Sequence, residues 1–495
     1  MSVDYTVVVP TIGRESLHRL LIALQQGHGP APRQIIVVDD RPRGADGLRV
    51  DVALPVRVVT SGGRGPAAAR NVGWRAADSR WVCFLDDDVV PHPQWRAVVI
   101  ADLDAAEAAG AVGSQAVLEV PTAGSRRPTD DERRTLRLAE ARWITADMAY
   151  RRDALIAVGG FDGRFPRAYR EDSDLAVRMV AAGGAILRGD RRCTHPVAPA
   201  TWWSSVRAQI GNRDNALMRR KHGRGWRTMI GEGPGRMPAH VATTIAGGAA
   251  LLGLLLRRKA RVAAAMWLLM TAEFAIKRWR SGPARVGQAA RLAVSSILIP
   301  PVAVWHRLAG EWEFRGARRD PPLAVLLDRD DTLIVDRHYL NDPDGVLPTR
   351  GARRALARLR RRGLLLAVVT NQSGVARGLI TPEQLGKVNA RVDEVLGPFD
   401  CWQVCVHGET DGCGCRKPQP GMVLAAAAEL AVPASRCVLI GDTGGDVQAA
   451  LAAQAQAVLV PTARTLPDEV AHAHVFARVA PTLEDAVAVV LRECR

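Results

Sequence analysis

The sequence predicts an α/β fold with two Rossmann-like parallel-sheet domains joined by a helical, basic and apolar middle region. Short apolar runs of strand length alternate with segments of helical spacing near both ends of the 495 residues. Several of these runs end in acidic residues, at the point where open α/β sheets place their ligands. Between the two parts, uncharged runs alternate with clusters of Arg and Lys. We expect domains at residues 1–225, 226–319 and 320–495.

Apolar runs in the N-terminal part predict strands of a mostly parallel sheet, because helical segments separate them. These runs are Tyr5–Val9, Gln34–Val38, Val56–Thr60 and Trp81–Leu85. The last run ends in Asp86, Asp87 and Asp88. Since Asp86 and Asp88 flank one residue, the pair is suited to hold Mn²⁺ or Mg²⁺ against a diphosphate. For an Asp triplet alone, a solvated turn is the alternative.

Further motifs accompany this acidic turn in a fixed order. They are Val7-Val-Val-Pro-Thr11, Val37-Val-Asp-Asp40, Ala69-Arg-Asn-Val-Gly73, Asp147-Met-Ala-Tyr-Arg-Arg152, Gly159-Gly-Phe-Asp162 and Arg170-Glu-Asp-Ser-Asp174. Together they resemble a GT-A glycosyltransferase of the family 2 type over about residues 3–225. The resemblance implies transfer of a sugar from a nucleotide sugar to a glycan or lipid-linked acceptor.

The resemblance assigns the chemistry of transfer to three carboxylates. Asp86 and Asp88 handle the divalent cation, Mn²⁺ or Mg²⁺, together with the sugar nucleotide. Asp172 matches the general base that deprotonates the acceptor hydroxyl. One such base, opposite the leaving diphosphate, is enough for an inverting displacement.

Further residues are implied to bind the nucleotide sugar. Asp39 or Asp40 reads the base or the ribose, and Arg70 lies near the diphosphate. For His195 two interpretations are open, a further metal or diphosphate ligand and a structural histidine.

The middle region holds the charge excess of the chain. Residues 203–319 carry 21 Lys and Arg against 5 Asp and Glu, which accounts for the formal charge of +16. Such a block beside apolar runs indicates an anionic membrane surface as the partner rather than a nucleic acid. The apolar runs at 241–256, 262–276 and 292–305 are shorter than the roughly 20 residues that span a bilayer comfortably. Trp202 and Trp203 are candidates for stacking on an acceptor sugar, for the core or for a membrane interface.

Apolar runs in the C-terminal part, at 323–327, 364–369 and 437–440, again predict buried strands. Each is followed by groups suited to phosphate or Mg²⁺, and the motifs are Asp328-Arg-Asp-Asp-Thr332, Thr370-Asn-Gln-Ser-Gly374, Cys415-Arg-Lys-Pro418 and Gly441-Asp-Thr-Gly-Gly-Asp446. Asp328 and Asp330 can share one Mg²⁺ and one phosphate, one attacking phosphorus and the other handling the proton of the leaving group. For this stretch alone, a surface turn rich in Asp is the alternative.

In this order the motifs resemble the haloacid dehalogenase (HAD) superfamily of aspartyl-phosphate phosphatases over about residues 322–490. Thr370–Gly378 and a Cys/His loop are similar to the branch of heptose-bisphosphate and histidinol-phosphate phosphatases. The resemblance implies Mg²⁺-dependent hydrolysis of a sugar phosphate, with heptose 1,7-bisphosphate as a candidate and histidinol phosphate as the alternative.

The roles carry over to residues of this sequence one by one. Asp328 matches the nucleophile and Asp330 the general acid and base, and both are implied as Mg²⁺ ligands together with Asp442. Asp446 lies near them in sequence.

The phosphate-binding residues implied by the resemblance are Thr370, Asn371 and Lys417, while Arg416 reaches the substrate phosphate or sugar. One position departs from the family pattern, because Asp331 stands where the family usually has Gly. Its carboxylate either repels phosphate, alters the metal site or points away from both.

Three thiols and one imidazole, those of Cys405, His407, Cys413 and Cys415, lie within eleven residues. This is a full tetrahedral set for a structural Zn²⁺, with no open position for catalysis. Free thiols are the weaker alternative. Eight cysteines in a chain of this length do not indicate a disulfide framework.

We therefore predict a bifunctional enzyme, a glycosyltransferase and a phosphomonoesterase, that is cytoplasmic and associated with the inner face of the cell membrane. A two-span hairpin would place the basic run Arg257–Arg261 outside, against the positive-inside tendency. Interfacial or re-entrant helices avoid this conflict, and a soluble helical linker is the third arrangement. Met1–Asp4 leads directly into a strand, so no signal peptide is expected. The rival functions are a scaffold with a silenced phosphatase and a nucleic-acid-binding protein, and the latter lacks the expected aromatic-basic pattern.

Overall fold

The chain, in a computed structural model, folds around two separate β-sheets. The structure describes residues 4–42, 47–121, 127–197, 201–256, 260–282 and 286–494. One unit comprises residues 1–155 and 160–315, and the other comprises 156–159 and 316–495; we call them the N-terminal and C-terminal units. The division at residues 225 and 319 stays a prediction. The first three residues, and 257–259 of the basic run, lie outside the described residues.

The N-terminal sheet has the strand order β3-β2-β1-β4-β7-β6-β8-β5. Its strands are β1 (Tyr5–Thr11), β2 (Gln34–Asp39), β3 (Val56–Thr60), β4 (Trp81–Leu85), β5 (Val90–Pro91), β6 (Gly113–Glu119), β7 (Asp147–Arg151) and β8 (Ile186–Thr194). The first four strands in this order are parallel, as expected. β7 runs antiparallel to both β4 and β6, which the sequence did not indicate. The carboxyl ends of β1, β2 and β4 therefore meet at one edge.

Helices cover this sheet and continue beyond it. They are α1 (Ser16–Gln26), α2 (Pro66–Arg75), α3 (Trp95–Ala108), α4 (Asp130–Glu140), α5 (Arg152–Val158), α6 (Glu171–Ala181), α7 (Ser204–Arg207), α8 (Asn212–His222), α9 (Trp226–Met229), α10 (Met237–Leu255), α11 (Arg261–Arg280) and α12 (Val286–Glu313). The α2 helix lies close on the sheet because Gly73 has no side chain. A Cβ there would lie 2.3 Å from Val8 Cγ1.

The α10, α11 and α12 helices coincide with the apolar runs of the middle region. By length and composition, α10 and residues 289–313 qualify as membrane-crossing helices. Inside this otherwise apolar group, Arg278 of α11 is buried. Its guanidinium donates to Ser295 and Ser296 of α12, each at 2.9 Å, and to Asp130 of α4 at 2.7 Å. A charged contact thus joins α11 to α4 within the N-terminal unit.

The C-terminal sheet is parallel throughout, in the order β11-β10-β9-β12-β13-β14. The strands are β9 (Ala324–Leu327), β10 (Leu365–Asn371), β11 (Cys401–Cys405), β12 (Cys437–Gly441), β13 (Gln456–Leu459) and β14 (Arg478–Val479). The helices are α13 (Ala352–Arg361), α14 (Pro382–Leu396), α15 (Gly421–Glu429), α16 (Gly444–Ala452), α17 (Pro467–Phe476) and α18 (Leu483–Glu493). Because β9 lies between β10 and β12, the motifs that follow these three strands converge at one edge, as ligand sites in such sheets do.

Candidate functional sites

The N-terminal unit has a cleft of about 390 Å³ at the carboxyl edge of its sheet. Among the residues predicted from the sequence, Asp40, Arg70, Asp86, Asp88, Asp172 and His195 line it. Asp39 is not among the lining residues. The structure therefore brings most of the predicted donor-site residues to one cleft.

Arg70 is fully buried and joins two carboxylates of this cleft. Its guanidinium donates to Glu171 Oε1 at 2.8 Å and to Asp86 Oδ1 at 2.7 Å. Burial acts to lower the pKa of Arg70, but Asp86 and Glu171 outweigh it and raise that pKa above its ordinary value. Burial, and then the neighbouring Asp172, raises the pKa of Glu171 to about 8. Glu171 has no role predicted from the sequence, although it directly precedes the predicted base.

Asp172 begins α6 together with Glu171, directly after a strained residue. Arg170 has φ +79, a left-handed conformation that costs energy for a side chain other than Gly. Two hydrogen bonds from its guanidinium to Glu232, at 2.6 and 2.9 Å, hold it there. Burial raises the pKa of Asp172, which makes this carboxylate a stronger base than an exposed aspartate.

Asp40 accepts three hydrogen bonds, from Ser61 Oγ at 2.6 Å and from the amides of Arg64 and Gly65 at 2.9 and 2.8 Å. This carboxylate orders the Gly-rich turn before α2. Asp39 is instead paired with Arg41, whose hydrogen bonds hold the pKa of Asp39 below its usual range.

The two predicted metal ligands of the cleft have different cationic neighbours. Asp86 is bound by Arg70, whereas Asp88 lies 3.3 Å from Arg14 Nη1 and 3.9 Å from His195 Nε2. Asp87 between them is buried and accepts from Thr11 Oγ1 at 2.6 Å. Among the described residues, Asp86 and Asp88 do not belong to a group of three or more converging ligands.

The tryptophans that follow the cleft-lining His195 in sequence are exposed. Trp202 has 50% of its surface exposed and Trp203 has 44%. This excludes the core as their location, while the other two interpretations stay open.

In the C-terminal unit, three carboxylates converge at the carboxyl ends of β9 and β12. Ligand oxygens of Asp328, Asp442 and Asp446 all lie within 4.8 Å of one another. Burial, then the neighbouring Asp446 and Asp442, holds the pKa of Asp328 well above its usual range against the opposing effect of Lys417. Burial, with Asp446 and Asp331, raises the pKa of Asp442 to about 7. Clustered oxygen donors of this kind fit Mg²⁺, whose charge would relieve their repulsion.

Lys417 neutralises part of this cluster. Its Nζ lies 2.6 Å from Asp328 Oδ1 and 2.5 Å from Asp446 Oδ1, and it donates to Val369 O at 3.0 Å. Burial acts to lower the pKa of Lys417, but the two carboxylates outweigh it and raise that pKa. Its ammonium group therefore stays charged at the strand ends.

The carboxylate of Asp330 turns away from the three-carboxylate cluster. It accepts from Gln372 Nε2 at 2.7 Å and from the guanidinium of Arg329 at 3.1 Å. Gln372 also donates to the buried Thr370 Oγ1 at 2.8 Å. Gln372 has no role predicted from the sequence, and its place inside the motif Thr370–Gly374 is the only signal in the sequence that points to it.

Asn371 and Arg416 flank Lys417 in different ways. The Asn371 amide exchanges two hydrogen bonds of 3.1 Å with the backbone of Lys417, so it positions the lysine. The Arg416 guanidinium donates to His407 O at 3.3 Å and lies 3.4 Å from Glu409.

The thiols and imidazole of the Cys/His loop also converge. The Sγ atoms of Cys405, Cys413 and Cys415 lie 3.2 to 3.8 Å apart, and His407 Nδ1 is 3.2 Å from Cys415 Sγ. All four ligand atoms lie within 4.8 Å of one another. Three sulfurs and one ring nitrogen at such separations fit a tetrahedral metal site.

Comparison with known proteins agrees with this geometry in both units. The family model described as glycosyl transferase family 2 matches residues 6–163. The family model described as HAD-hydrolase-like matches residues 414–486. The N-terminal unit is therefore that of a glycosyltransferase, and the C-terminal unit that of a HAD-type phosphomonoesterase.

Individual relatives align with the C-terminal unit. The D-glycero-β-D-manno-heptose-1,7-bisphosphate 7-phosphatase of Pseudomonas aeruginosa is 38% identical over 145 residues, which are 28% of this chain and 82% of the relative. Its counterpart from Pseudomonas putida is 39% identical over 145 residues, which are 28% and 83% of the two chains. The solved D,D-heptose 1,7-bisphosphate phosphatase of B. bronchiseptica, complexed with magnesium and phosphate, is 31% identical with a TM-score of 0.32. That alignment covers 34% of this chain and 99% of the other.

Proposed function

Through its C-terminal unit the chain belongs to the D-glycero-β-D-manno-heptose-1,7-bisphosphate 7-phosphatase family, and we propose that this unit hydrolyses a sugar phosphate. Heptose 1,7-bisphosphate is the first candidate substrate, because the relatives are named for it. The observation that carries the proposal is the buried Asp328, in contact with Lys417 and beside Asp442 and Asp446.

In the first step, Asp328 attacks phosphorus. A bond forms between its carboxylate oxygen and phosphorus while the bond from phosphorus to the sugar oxygen breaks. Asp330, in its protonated form, gives its proton to the departing sugar oxygen. Lys417 holds the phosphoryl oxygens by charge, and Thr370 orients them by its hydroxyl.

In the second step, water releases the phosphate. Asp330, now a carboxylate, takes a proton from the water as the water oxygen bonds to phosphorus. The bond between phosphorus and Asp328 breaks, inorganic phosphate leaves, and both carboxyl groups return to their starting states. Gln372, which donates to Asp330 at 2.7 Å, keeps that carboxyl group oriented in both steps.

Two metals support this unit in our proposal. Asp328, Asp442 and Asp446 would hold Mg²⁺, with Asp330 close by in sequence. When bound, Mg²⁺ offsets the charge of the phosphoryl group and of the carboxylates. Cys405, His407, Cys413 and Cys415 would hold a structural Zn²⁺ that shapes the loop bearing Arg416.

The test is phosphate release from heptose 1,7-bisphosphate by the full chain, with and without Mg²⁺. We expect release that requires Mg²⁺ and is abolished in Asp328→Asn, while the thermal unfolding of that variant stays cooperative. In contrast, Cys413→Ser should lose one zinc per chain by metal analysis and keep part of the activity. A parent chain that releases no phosphate from any sugar phosphate would support the scaffold function instead.

For the N-terminal unit we propose transfer of a sugar from a nucleotide sugar to a glycan or lipid-linked acceptor. Asp172 takes the proton of the acceptor hydroxyl, whose oxygen bonds to the sugar carbon as the bond to the diphosphate breaks. Asp86 and Asp88 would hold Mn²⁺ or Mg²⁺ together with the diphosphate. A shared pathway of heptose activation and transfer into a cell-surface glycan would link the two units.

We further propose that α10, α11 and α12 bind the cytoplasmic face of the cell membrane. A groove of about 780 Å³ between them is lined mostly by apolar side chains, including Leu251 and Leu254, with Arg261 at its lining. On α12, Trp305, Leu308 and Trp312 follow helical spacing and are 66%, 62% and 72% exposed. Exposed Trp beside basic residues is typical of helices in a membrane interface.

Flotation of the full chain with vesicles of mixed neutral and anionic phospholipids tests the proposed membrane binding of α10, α11 and α12. We expect binding that falls with salt, because part of it is electrostatic, and that falls further in the double variant Trp305→Ser, Trp312→Ser. The matched control is Val475→Ser, an equally exposed apolar residue of the C-terminal unit. Equal flotation of parent and double variant would contradict the interfacial role of the α12 tryptophans.

A further inference from the structure

Asp331, which stands where the HAD family usually has Gly, contacts an arginine distant in sequence in the C-terminal unit. Asp331 has φ +54, the left-handed region that favours Gly but that Asp also tolerates. Its carboxylate accepts the amide of Asp336 at 3.0 Å and lies 2.9 Å from Arg464 Nη2. The Asp331 side chain thus contacts Asp336 and Arg464 rather than Lys417 or Asp328.

Hydrogen bonds fix the turn that carries Arg464. This arginine lies in the turn after β13, where the Thr462 amide donates to Thr465 Oγ1 at 2.8 Å. Thr465 Oγ1 in turn donates to the backbone carbonyl of Asp442 at 2.6 Å. From this position the guanidinium pairs with both Asp331 and Asp336. One arginine therefore joins the turn beside Asp442 to the segment that follows the nucleophile strand.

The segment from residue 335 to 340 has little regular structure of its own. His338 and Tyr339 both have positive φ, at +33 and +59. The Tyr339 hydroxyl accepts from Arg377 at 2.7 Å, and its ring lies so close to Gly374 that a Cβ there would be 2.7 Å away. Since Gly374 ends the motif that carries Thr370 and Gln372, the segment borders the site at which we propose that the sugar phosphate binds.

We propose that Asp331 and Arg464 form a positioning pair that fixes segment 335–340 for recognition of the sugar. This inference rests on the proposed phosphatase function. The Arg464 charge offsets part of the charge of Asp331 and so reduces the repulsion between this carboxylate and the substrate. The pair acts through the segment and touches neither the attacking nor the departing atoms.

Kinetics of phosphate release from heptose 1,7-bisphosphate, at saturating Mg²⁺, test the pair. We expect Asp331→Gly and Arg464→Ala each to raise KM about fivefold, the effect of one partly exposed ion pair, with kcat within about twofold of the parent. The double variant should raise KM by less than the product of the two single effects, because the ion pair between the two side chains is lost only once. Arg464→Lys should lie between parent and Arg464→Ala. The control is Arg391→Ala, whose partner is Glu394 on the same exposed helix.

Hydrogen exchange of peptides covering 335–340 is the second readout and needs no activity. Protection should fall in Asp331→Gly and Arg464→Ala and stay at the parent level in Arg391→Ala. Unchanged protection in both single variants overturns the proposal, as does a KM that falls in Asp331→Gly or effects that multiply in the double variant. If the parent releases no phosphate from any sugar phosphate, the phosphatase function fails, and hydrogen exchange alone then decides whether the pair orders the segment.

Discussion

The two sites place carboxylates at the ends of parallel strands but distribute their cations differently. In the N-terminal cleft, Asp86 contacts Arg70, while Asp88 shares Arg14 with Asp87. In the C-terminal unit, Lys417 contacts Asp328 and Asp446 together, and three carboxylates converge within 4.8 Å. Different guanidinium groups thus contact the two candidate ligands in one site, while a single ammonium group lies inside the cluster in the other.

This difference indicates when each metal binds. Three converging carboxylates form a cation site before any substrate arrives. Asp86 and Asp88, which among the described residues join no such cluster, need further oxygens, and the diphosphate of a nucleotide sugar would supply them. We therefore expect the phosphatase to bind Mg²⁺ alone and the transferase to bind its cation together with the donor.

The largest effect should come from removing Asp172, the proposed base of the transferase. Asp172→Asn should reduce sugar transfer by at least about a thousandfold, because an amide cannot take the acceptor proton. Phosphate release by Asp172→Asn should be unchanged. Conversely, sugar transfer by Asp328→Asn should be unchanged. Radiolabelled transfer and phosphate release, measured on both variants, check this independence. Transfer by Asp172→Asn at the parent rate would show that the base is another residue.

The metal comparison predicts a qualitative difference in binding. Calorimetry should detect Mg²⁺ binding to the parent without substrate, and Asp442→Asn should weaken it about tenfold or more, since one carboxylate ligand is lost. Asp88→Asn should leave this binding unchanged and weaken only the cation-dependent binding of nucleotide sugar. Equal loss of substrate-free Mg²⁺ binding in both variants would remove the distinction between the sites.

A stability prediction concerns the buried arginine of the transferase. Arg70→Met should lower the free energy of unfolding of the N-terminal unit by about 1.5–3 kcal/mol, because it removes the buried guanidinium hydrogen bonds to Glu171 and Asp86. The matched control Arg14→Met removes an arginine that is half exposed and should cost less than about 1 kcal/mol. Thermal and denaturant unfolding compare the two variants, and similar losses would mean that Arg70 adds no stability through burial.

The last prediction is a pH dependence. The pKa of Glu171 is raised from an ordinary value of 4.5 to about 8, so the folded chain holds this proton to a higher pH than the unfolded chain. Its contribution to stability is therefore complete below about pH 4.5 and is lost as pH rises towards about 8. The slope is at most about 1.4 kcal/mol per pH unit. Glu171→Gln should flatten the decline of the melting temperature over this range, and an unchanged decline would exclude Glu171 as its source.

Much of both sheets was predictable because buried parallel strands have local signals. The predicted strand at 56–60 matches β3 and that at 81–85 matches β4, while the C-terminal strands agree within about two residues at each end. The antiparallel course of β7 was not predictable, since strand direction depends on where the chain returns and not on the residues of the strand. Three of the four HAD-type motifs stand at the ends of β9, β10 and β12, so their convergence at one edge of the sheet was predictable, whereas Lys417 lies twelve residues after the end of β11.

The remaining gaps are side-chain partners distant in sequence. Arg70 was placed near the diphosphate, but its contact with Glu171 joins residues 101 positions apart. Likewise, the sequence left open whether Asp331 repels phosphate, alters the metal site or points away from both. Its partner Arg464 lies in a turn after β13. No local pattern links such residues, because the pairing depends on the assembled sheet.

The buried Arg278 of α11 has a practical consequence for dividing the chain. A truncation after residue 225 would delete the guanidinium groups of Arg278 and Arg291, which pair with Asp130 and Asp131 at the start of α4. The far end of that helix contributes Leu138 to the lining of the transferase cleft. A shortened enzyme of this kind should be difficult to produce in soluble and active form. A break near residue 315 cuts none of these contacts, and it is the better site for expressing the two enzymes separately.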